Sequence, residues 1–277
     1  MLARLFLLAA AVLWSTAGVA IKKSSLSGWQ VSLGRSFFAA LVLFLAFPIA
    51  RKKPTRPVFL VAIAYAATVT LFVLANKLTT AANAIFIQDA APLYVALLSP
   101  WLLGEKATRA ELLAVPIYVL GIGLFFGDKL EAGHTAGNLI ALASGIAFAF
   151  CIMGMRKVGD DRAVAATAWG NLMAVILSAP FALSGPCPTF PDIGILAFLG
   201  VFQLALAYAL FAKGLRDVPA VEASLLVLLE PVLSAVWAYL FADETPGPFA
   251  LAGGAVILGA TIWRTVAARS DTRVATV

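Results

Sequence analysis

Long apolar runs dominate the chain, and short segments rich in charged residues, proline and glycine separate them. A helix that crosses a bilayer needs about 20 mostly apolar residues, and ten runs reach or approach that length. They cover residues 5–21, 28–50, 57–76, 80–104, 112–127, 135–155, 163–184, 193–212, 218–242 and 245–263. The connections between them are too short to hold a soluble domain. The pattern therefore predicts an all-α integral membrane protein with ten transmembrane helices.

The overall composition agrees with a chain that lies mostly within a lipid bilayer. Of the 277 residues, 62% are hydrophobic and 12% are charged, whereas a soluble domain has roughly 45–50% apolar and about 25% charged residues. The first run also has features of a cleaved signal peptide, namely Arg4, an apolar stretch and small residues at 18–20. The sixth run is its repeat partner in the interpretation below, which favours a first helix that is retained.

Positive charges alternate between the two sides that ten spans define. Cytoplasmic loops carry an excess of Lys and Arg. With the N-terminus inside, the inner segments contain Arg4, Arg51, Lys52, Lys53, Arg56, Lys106, Arg109, Arg156, Lys157, Arg162, Lys213, Arg216, Arg264, Arg269 and Arg273, and the outer loops contain Lys22, Lys23, Lys77 and Lys129. This bias predicts a multi-pass protein of the cell inner (plasma) membrane with both termini cytoplasmic. The net charge of +6 is then a consequence of topology, and no nucleic-acid partner is expected.

Two parts of the chain match each other at an offset of 139 residues. Pro92 aligns with Pro231, and Glu105 aligns with Glu244. The match predicts two repeats of five spans each, at 1–133 and 134–277. Because five is odd, the second repeat must be inverted relative to the first. Many secondary transporters have inverted repeats of this kind and bind substrate near the middle of the membrane, between the two halves.

Four charged side chains lie inside the predicted spans: Arg35, Asp89, Glu222 and Glu230. Such residues are costly in a membrane and usually face a cavity or a partner. Pro92 frees the carbonyl group of Gln88, and Pro231 frees that of Val227, because proline lacks an N–H group. Both interruptions are expected against protein or water. We therefore expect a site for substrate or protons where the two halves meet, with Pro92 and Pro231 as hinges.

The residue types at this predicted site suit a small molecule that carries both charges. Arg35 can bind a carboxylate with two parallel hydrogen bonds, while Asp89 or Glu230 holds an ammonium group. In the alternative interpretation, Arg35 and Asp89 form a structural ion pair. The further candidate substrate-binding residues are Gln88 beside Asp89, Asn83 at the repeat position of Glu222, and the aromatic residues Trp14 and Trp169 within spans.

The two matching segments resemble the drug/metabolite transporter superfamily, EamA type. They read NKLTTAANAIFIQDAAPLYVALLSPWLLGEK (76–106) and AKGLRDVPAVEASLLVLLEPVLSAVWAYLFADE (212–244). The resemblance implies a ten-helix transporter with cytoplasmic termini and a central cavity, in which the fifth and tenth helices are peripheral. Members of the superfamily export amino acids and other metabolites, or move drugs and nucleotide-linked sugars. Export of amino acids by alternating access is the activity that we expect.

Other functions remain as alternatives. A channel-like facilitator, or an exporter of drugs, nucleosides or sugars, would share this topology. An intramembrane enzyme is disfavoured because the chain has one histidine, His134, and no pattern for a nucleophile with its base or for a metal cluster. Cys151 and Cys187 lack the spacing of metal or redox motifs, so no cofactor or metal is expected. The expected partners are a small-molecule substrate and the lipid bilayer, and Gly253, Gly254 and Gly259 suit a homodimer contact.

Overall fold

The computed structural model describes residues 2–79, 81–105, 108–126, 135–242 and 247–274, and these ranges contain helices and no β-strand. The helices of the first half are α1 (Leu2–Ser15), α2 (Ala17–Lys23), α3 (Gly28–Ala46), α4 (Arg56–Leu78), α5 (Ala81–Gln88), α6 (Ala91–Leu102) and α7 (Arg109–Phe126). Those of the second half are α8 (Thr135–Val158), α9 (Asp160–Ala182), α10 (Phe190–Phe198), α11 (Ala207–Asp217), α12 (Ala220–Leu226), α13 (Leu229–Ala242) and α14 (Pro248–Val274). A 3-10 turn (Pro48–Arg51) follows α3, and a π-helical segment (Leu199–Leu206) joins α10 to α11.

The described helices account for all ten predicted spans. Six helical stretches are long and apolar enough to cross a membrane: Gly28–Ala46, Arg56–Leu78, Thr135–Val158, Asp161–Ala182, Phe190–Asp217 and Ala220–Phe241. Four shorter apolar helices lie in the remaining runs: Leu2–Ser15, Ala91–Leu102, Leu112–Leu124 and Leu251–Trp263. The prediction of an all-α membrane protein is confirmed.

Four of the spans depart from a continuous α-helix. The fourth span is interrupted at Asp89 and Ala90, and the ninth at Val227 and Leu228. Both interruptions lie just before a proline, at 92 and at 231. Proline has no N–H group, so each one removes a hydrogen-bond donor from the next helical turn. The first span is interrupted at Thr16, and the eighth contains the π-helical segment.

The freed backbone at two of these interruptions is covered by protein. A Cβ atom at Gly145 would lie 3.2 Å from the carbonyl oxygen of Gln88, so α8 approaches this turn because Gly145 has no side chain. In the ninth span the carbonyl of Val227 accepts a hydrogen bond of 2.9 Å from the N–H of Glu230. Non-helical backbone at membrane depth is tolerated only where protein or water surrounds it, and both turns meet that condition.

The centre of the bundle is built from helices of both halves. α4 packs against α8 and α9, and α3 packs against α9. Small residues allow these close approaches: a Cβ atom at Gly170 would lie 2.6 Å from the Tyr65 ring and 2.8 Å from the carbonyl oxygen of Ala62. The two halves are therefore interleaved rather than set side by side as separate domains.

The fifth and tenth spans pack mainly against each other. α14 contacts α7, with a smaller contact to α13, and the hydroxyl groups of Tyr118 and Thr261 are 3.0 Å apart. A Cβ atom at Gly121 would lie 3.3 Å from the carbonyl oxygen of Gly253. Gly253 and Gly254 are buried and Gly259 is exposed. Part of the small-residue stripe thus serves packing within the chain, and the homodimer stays a hypothesis. The predicted repeat boundary at 133–134, including His134, lies outside the described residues.

The first testable prediction concerns two glycines of the eighth span. A Cβ atom at Gly200 would lie 2.5 Å from the carbonyl oxygen of Arg35 and 2.9 Å from the amide nitrogen of Ala39, whereas one at Gly194 would meet nothing within 4 Å. Gly200→Ala should therefore destabilise the protein by about 1–3 kcal/mol, measured by unfolding of the purified protein in detergent. Gly194→Ala is the matched control and should be neutral or slightly stabilising. Equal effects of the two changes would contradict this account of the contact between α3 and the eighth span.

Candidate functional site

A polar cavity lies where the interrupted spans meet, at the centre of the bundle. Both halves line it, with Trp14, Arg35, Thr68, Val69, Phe72, Ile85, Gln88 and Asp89 from the first and Phe148, Gln203, Leu204, Tyr208 and Glu230 from the second. Its free volume is about 40 Å³, which is enough for a few water molecules and too small for an organic substrate. Five of the seven predicted substrate-binding residues line it: Trp14, Arg35, Gln88, Asp89 and Glu230.

Among the lining residues that the structure describes, Arg35 is the single cation. It is 1% exposed and projects from α3, where its Nη2 donates a hydrogen bond of 2.6 Å to the carbonyl oxygen of Val69 on α4. Its Nε atom is buried and has no hydrogen-bond partner among the described residues. A buried guanidinium with an unused donor can bind an anionic group of a ligand.

Two carboxylic side chains face the same cavity, one from each half. Asp89 lies in the interruption between α5 and α6, and its Oδ2 atom is buried without a hydrogen-bond partner among the described residues. Glu230 lies in the first turn of α13. Within the described part of the chain, Arg35 forms no ion pair with Asp89 or with Glu230. The geometry thus does not support the alternative in which Arg35 and Asp89 form a structural ion pair.

A cluster of aromatic rings forms one wall of the cavity. The Trp14 ring centroid lies 4.8 Å from that of Tyr208, 5.1 Å from that of Phe211 and 5.9 Å from that of Phe148. Tyr65 adds an edge-to-face contact of 4.6 Å to Tyr208. Along α4 and α11, Tyr65 and Phe211 lie between the cavity and the end of the bundle that carries Arg4. The cluster therefore closes the cavity toward that end.

The remaining predicted residues have other surroundings. Trp169 does not line the cavity, since its ring packs edge-on against Phe44 at a centroid distance of 5.6 Å. Asn83 lies in α5, but its side chain is outside the described part of the chain. Pro92 and Pro231 are buried beside the interruptions, and their role as hinges stays a prediction.

A larger space, here called the vestibule, adjoins the cavity on the side toward the end of the bundle opposite Arg4. It shares Phe72, Ile85 and Glu230 with the cavity and is also lined by Ala17, Gly18, Ile21, Asn76, Lys77 and Ser234. Its free volume is about 280 Å³. A Cβ atom at Gly18 would meet nothing within 4 Å, which agrees with open space beside α2.

The end of the bundle that carries Arg4 is closed by polar contacts between the two halves. Glu105, just after α6, accepts a hydrogen bond of 2.7 Å from Nε of Arg156 on α8 and one of 3.1 Å from the N–H of Ala220 at the start of α12. Arg156 also donates to the last carbonyl groups of α11, those of Leu215 and Arg216. A carboxylate at a helix N-terminus and a cation at a helix C-terminus both complement the helix dipole.

A second ion pair crosses the same end of the bundle. Nε of Arg4 on α1 lies 2.5 Å from Oε1 of Glu222 on α12, and the Glu222 side chain is only 5% exposed. The charged residue that the sequence placed near the inner end of the ninth span is therefore neutralised by the first span. The cavity thus has these polar contacts on the side of Arg4 and adjoins the vestibule on the other side.

Sequence reasoning missed several lining residues, of which Gln203 is the most informative. It is 6% exposed, lies in the π-helical segment, and its Oε1 atom has no hydrogen-bond partner among the described residues. The available signal was an amide side chain in the otherwise apolar run 193–212. Phe148, Tyr208 and Thr68 gave no such signal, because aromatic and small polar residues occur throughout the spans.

Comparison with known proteins places this architecture among transporters. The EamA-like transporter family matches residues 1–127 and 135–265. The chain is similar to an uncharacterized transporter of Archaeoglobus fulgidus, with 27% identity over 92% of this chain and 93% of the relative. It is also similar to the uncharacterized transporter YwfM of Bacillus subtilis, with 28% identity over 92% and 90%. The threonine/homoserine exporter RhtA of Escherichia coli K12 is 23% identical over 74% of this chain and 69% of its own length.

A solved crystal structure has the same fold. It superposes with a TM-score of 0.82 and 20% sequence identity, over 96% of this chain and 98% of the other. This likeness supports the ten-helix architecture and carries no information on substrate.

The second testable prediction concerns Glu105 at the closed end. Glu105→Ala removes the acceptor for Arg156 and for the Ala220 N–H group, so it should destabilise the purified protein by about 1.5–3 kcal/mol. The matched control is Asp217→Ala, which breaks the exposed pair of Arg216 and Asp217, whose side chains are 68% and 66% exposed. That change should have an effect of at most about 1 kcal/mol. A Glu105 variant as stable as the Asp217 variant would contradict the role of Glu105 in joining the halves.

Proposed function

Because this chain belongs to the EamA-like transporter family, we propose that it exports amino acids across the cell inner membrane. Among the relatives, RhtA of Escherichia coli is named a threonine/homoserine exporter. Small amino acids with a hydroxyl group, such as threonine, are therefore the first substrates to test. The charge count of the loops supports an orientation in which the end carrying Arg4 is cytoplasmic.

One observation carries the proposal: the described residues that line the central cavity include one cation and two carboxylic side chains. An α-amino acid has a carboxylate and an ammonium group on the same carbon atom. Arg35 has an unused Nε donor for the carboxylate, while Asp89 and Glu230 are the acceptors for the ammonium group. Both kinds of contact are charge-assisted and gain strength where water is excluded.

Alternating access is the mechanism that the two ends of the bundle support. At one end, ion pairs join Arg4 to Glu222 and Arg156 to Glu105, and on the other side the vestibule adjoins the cavity. Inverted repeats allow the two halves to exchange conformations, so that the opposite end closes while this one opens. The cavity must widen for a substrate to enter, and Pro92 and Pro231 lie where helices four and nine can bend.

The third testable prediction assigns the two ends of the substrate to the two kinds of charge. Arg35→Gln should raise the KM for threonine by more than about thirtyfold in proteoliposomes, because truncating a buried hydrogen-bonded charge costs about 2–5 kcal/mol. Threoninol, which lacks the carboxylate, should compete only weakly with threonine for transport by the wild type. Its inhibition constant should change little in Arg35→Gln, because the group that Arg35 binds is already absent. N-acetylthreonine lacks the ammonium group, so its inhibition constant should likewise change little in Asp89→Asn.

Arg35→Lys and Arg51→Gln serve as controls for this experiment. Arg35→Lys keeps the positive charge but lacks the paired donors of the guanidinium group. Its KM for threonine should therefore lie between the KM of the wild type and that of Arg35→Gln. Arg51 is exposed and donates to the carbonyl groups of Phe44 and Leu45, so Arg51→Gln should leave the KM unchanged. Equal losses for threonine and threoninol in a folded Arg35 variant would remove Arg35 from the carboxylate site. Saturable transport of only drugs, nucleosides or sugars would overturn amino-acid export.

The fourth testable prediction concerns access to the two sides of the cavity. Single cysteines are placed at Ser234, which lines the vestibule, and at Ser224, which is 1% exposed in α12, with Cys151 and Cys187 replaced by alanine. A membrane-impermeant maleimide added from outside should label position 234 rapidly and position 224 slowly. Saturating threonine should change the rate at position 234, because transport exchanges the open and closed ends.

Two results would count against this description of access. Equal labelling at the two positions would contradict the closed end that Glu105 and Arg156 form. An unreactive position 234 from outside, together with reactivity from the cytoplasmic side, would reverse the proposed orientation.

A further inference from the structure

Gln203 is a buried amide with unused hydrogen-bonding capacity at the wall of the central cavity. It is 6% exposed, lines the cavity together with Leu204 and Tyr208, and its buried Oε1 atom has no partner among the described residues. Leaving a buried polar group unpaired costs free energy, so such a group in a native protein calls for an explanation. A ligand that supplies the missing hydrogen bond is an explanation that the position of Gln203 inside the cavity favours.

The backbone around Gln203 fixes the direction of its side chain. Phe198, Phe202 and Leu206 are exposed on the outer surface of the eighth span, while Leu199, Gln203 and Ala207 are buried on its inner side. The span is π-helical between Leu199 and Leu206, a conformation that is rare and frequent at functional sites. Gly200, three residues before Gln203, allows this segment to lie against the backbone of Arg35 and Ala39.

The cavity offers two different kinds of polar group. Arg35, Asp89 and Glu230 are the charged groups, and under the proposed function they bind the carboxylate and the ammonium group that all α-amino acids share. Gln203 is neutral and lies on a different span. Its amide group both accepts and donates hydrogen bonds, and these properties match a hydroxyl group, which also does both.

We infer that Gln203 determines the substrate class of the site by hydrogen bonding to a hydroxyl group on the substrate's side chain. This inference rests on the proposed function, namely amino-acid export. A site that hydrogen-bonds a substrate hydroxyl discriminates strongly against an analogue that lacks it, because the buried polar group is then left unpaired. Threonine and valine have nearly the same shape and differ in one hydroxyl group. The ratio of their kcat/KM values therefore measures the hydrogen bond between Gln203 and that hydroxyl group.

The test compares the wild type with Gln203→Met, which keeps the length of the side chain and removes its hydrogen-bonding groups. The ratio of kcat/KM for threonine to that for valine is measured in proteoliposomes with both labelled amino acids. We expect the wild type to prefer threonine by tenfold or more, and Gln203→Met to lower that preference by about tenfold. Leu206→Met changes an exposed position of the same span that does not line the cavity, and it should leave the ratio unchanged.

A second measurement separates recognition from a structural role. If Gln203 acts on the substrate, Gln203→Met should unfold at the same temperature as the wild type or at a higher one, since the change removes an unpaired buried group. A lower unfolding temperature with an unchanged substrate ratio would assign Gln203 to structure and overturn the inference.

The remaining outcomes distinguish the inference from the function on which it rests. A wild type that transports threonine and valine equally, or a Gln203→Met variant that loses both equally, would overturn the role of Gln203 while amino-acid transport stands. A folded wild type that transports no amino acid at all would overturn the proposed function and the inference with it.

Discussion

The need to satisfy every backbone hydrogen bond inside a lipid bilayer is the constraint on which the rest of this structure depends. It explains why the described residues form helices, since a helix pairs its own N–H and C=O groups within the segment. It also explains where the helices can be interrupted. The irregular segments at Thr16, Asp89–Ala90, Leu199–Leu206 and Val227–Leu228 all lie in spans that line the central cavity. Irregular backbone and the candidate site coincide because only protein or water can cover such turns.

The same constraint accounts for the charged and polar residues that remain inside the membrane. Arg35, Asp89 and Glu230 face one cavity from three different spans, where they are kept away from the lipid that would make them costly. The close contact of α8 with the turn at Gln88 depends on Gly145, and that of the eighth span with α3 depends on Gly200. The position of each charge is thus determined by neighbouring backbone as well as by its own helix.

The two ends of the cavity differ, although the two halves of the chain share one plan. At the end that carries Arg4, carboxylates of the fourth and ninth spans bind cations of the sixth and first spans. Glu105 and Arg156 also complement the ends of α12 and α11. On the opposite side the vestibule is lined by residues of α2, α4, α5 and α13. Under the proposed function, this difference between the two ends is the feature that alternating access would use.

The sequence by itself determined the architecture and a large part of the candidate site. Apolar runs long enough to span the bilayer can be read directly from the sequence. A charged residue within such a run can also be recognised there, because the bilayer penalises it whichever way its side chain faces. That is why the ten spans, the interruptions near Pro92 and Pro231, and the grouping of Arg35, Gln88, Asp89 and Glu230 could be predicted. Trp14 was also placed at the cavity.

Only the tertiary structure decided which way each side chain points and which residues meet across the halves. Trp169 and Trp14 are equivalent by composition, yet one packs against Phe44 and the other lines the cavity. The partners Arg4 and Glu222 are 218 residues apart in the chain, and no local pattern joins them. Gln203 is buried on the inner side of the eighth span, but only the tertiary structure shows that this side faces the cavity. These contacts depend on how helices distant in the chain pack together, and the periodicity of a single helix does not determine that packing.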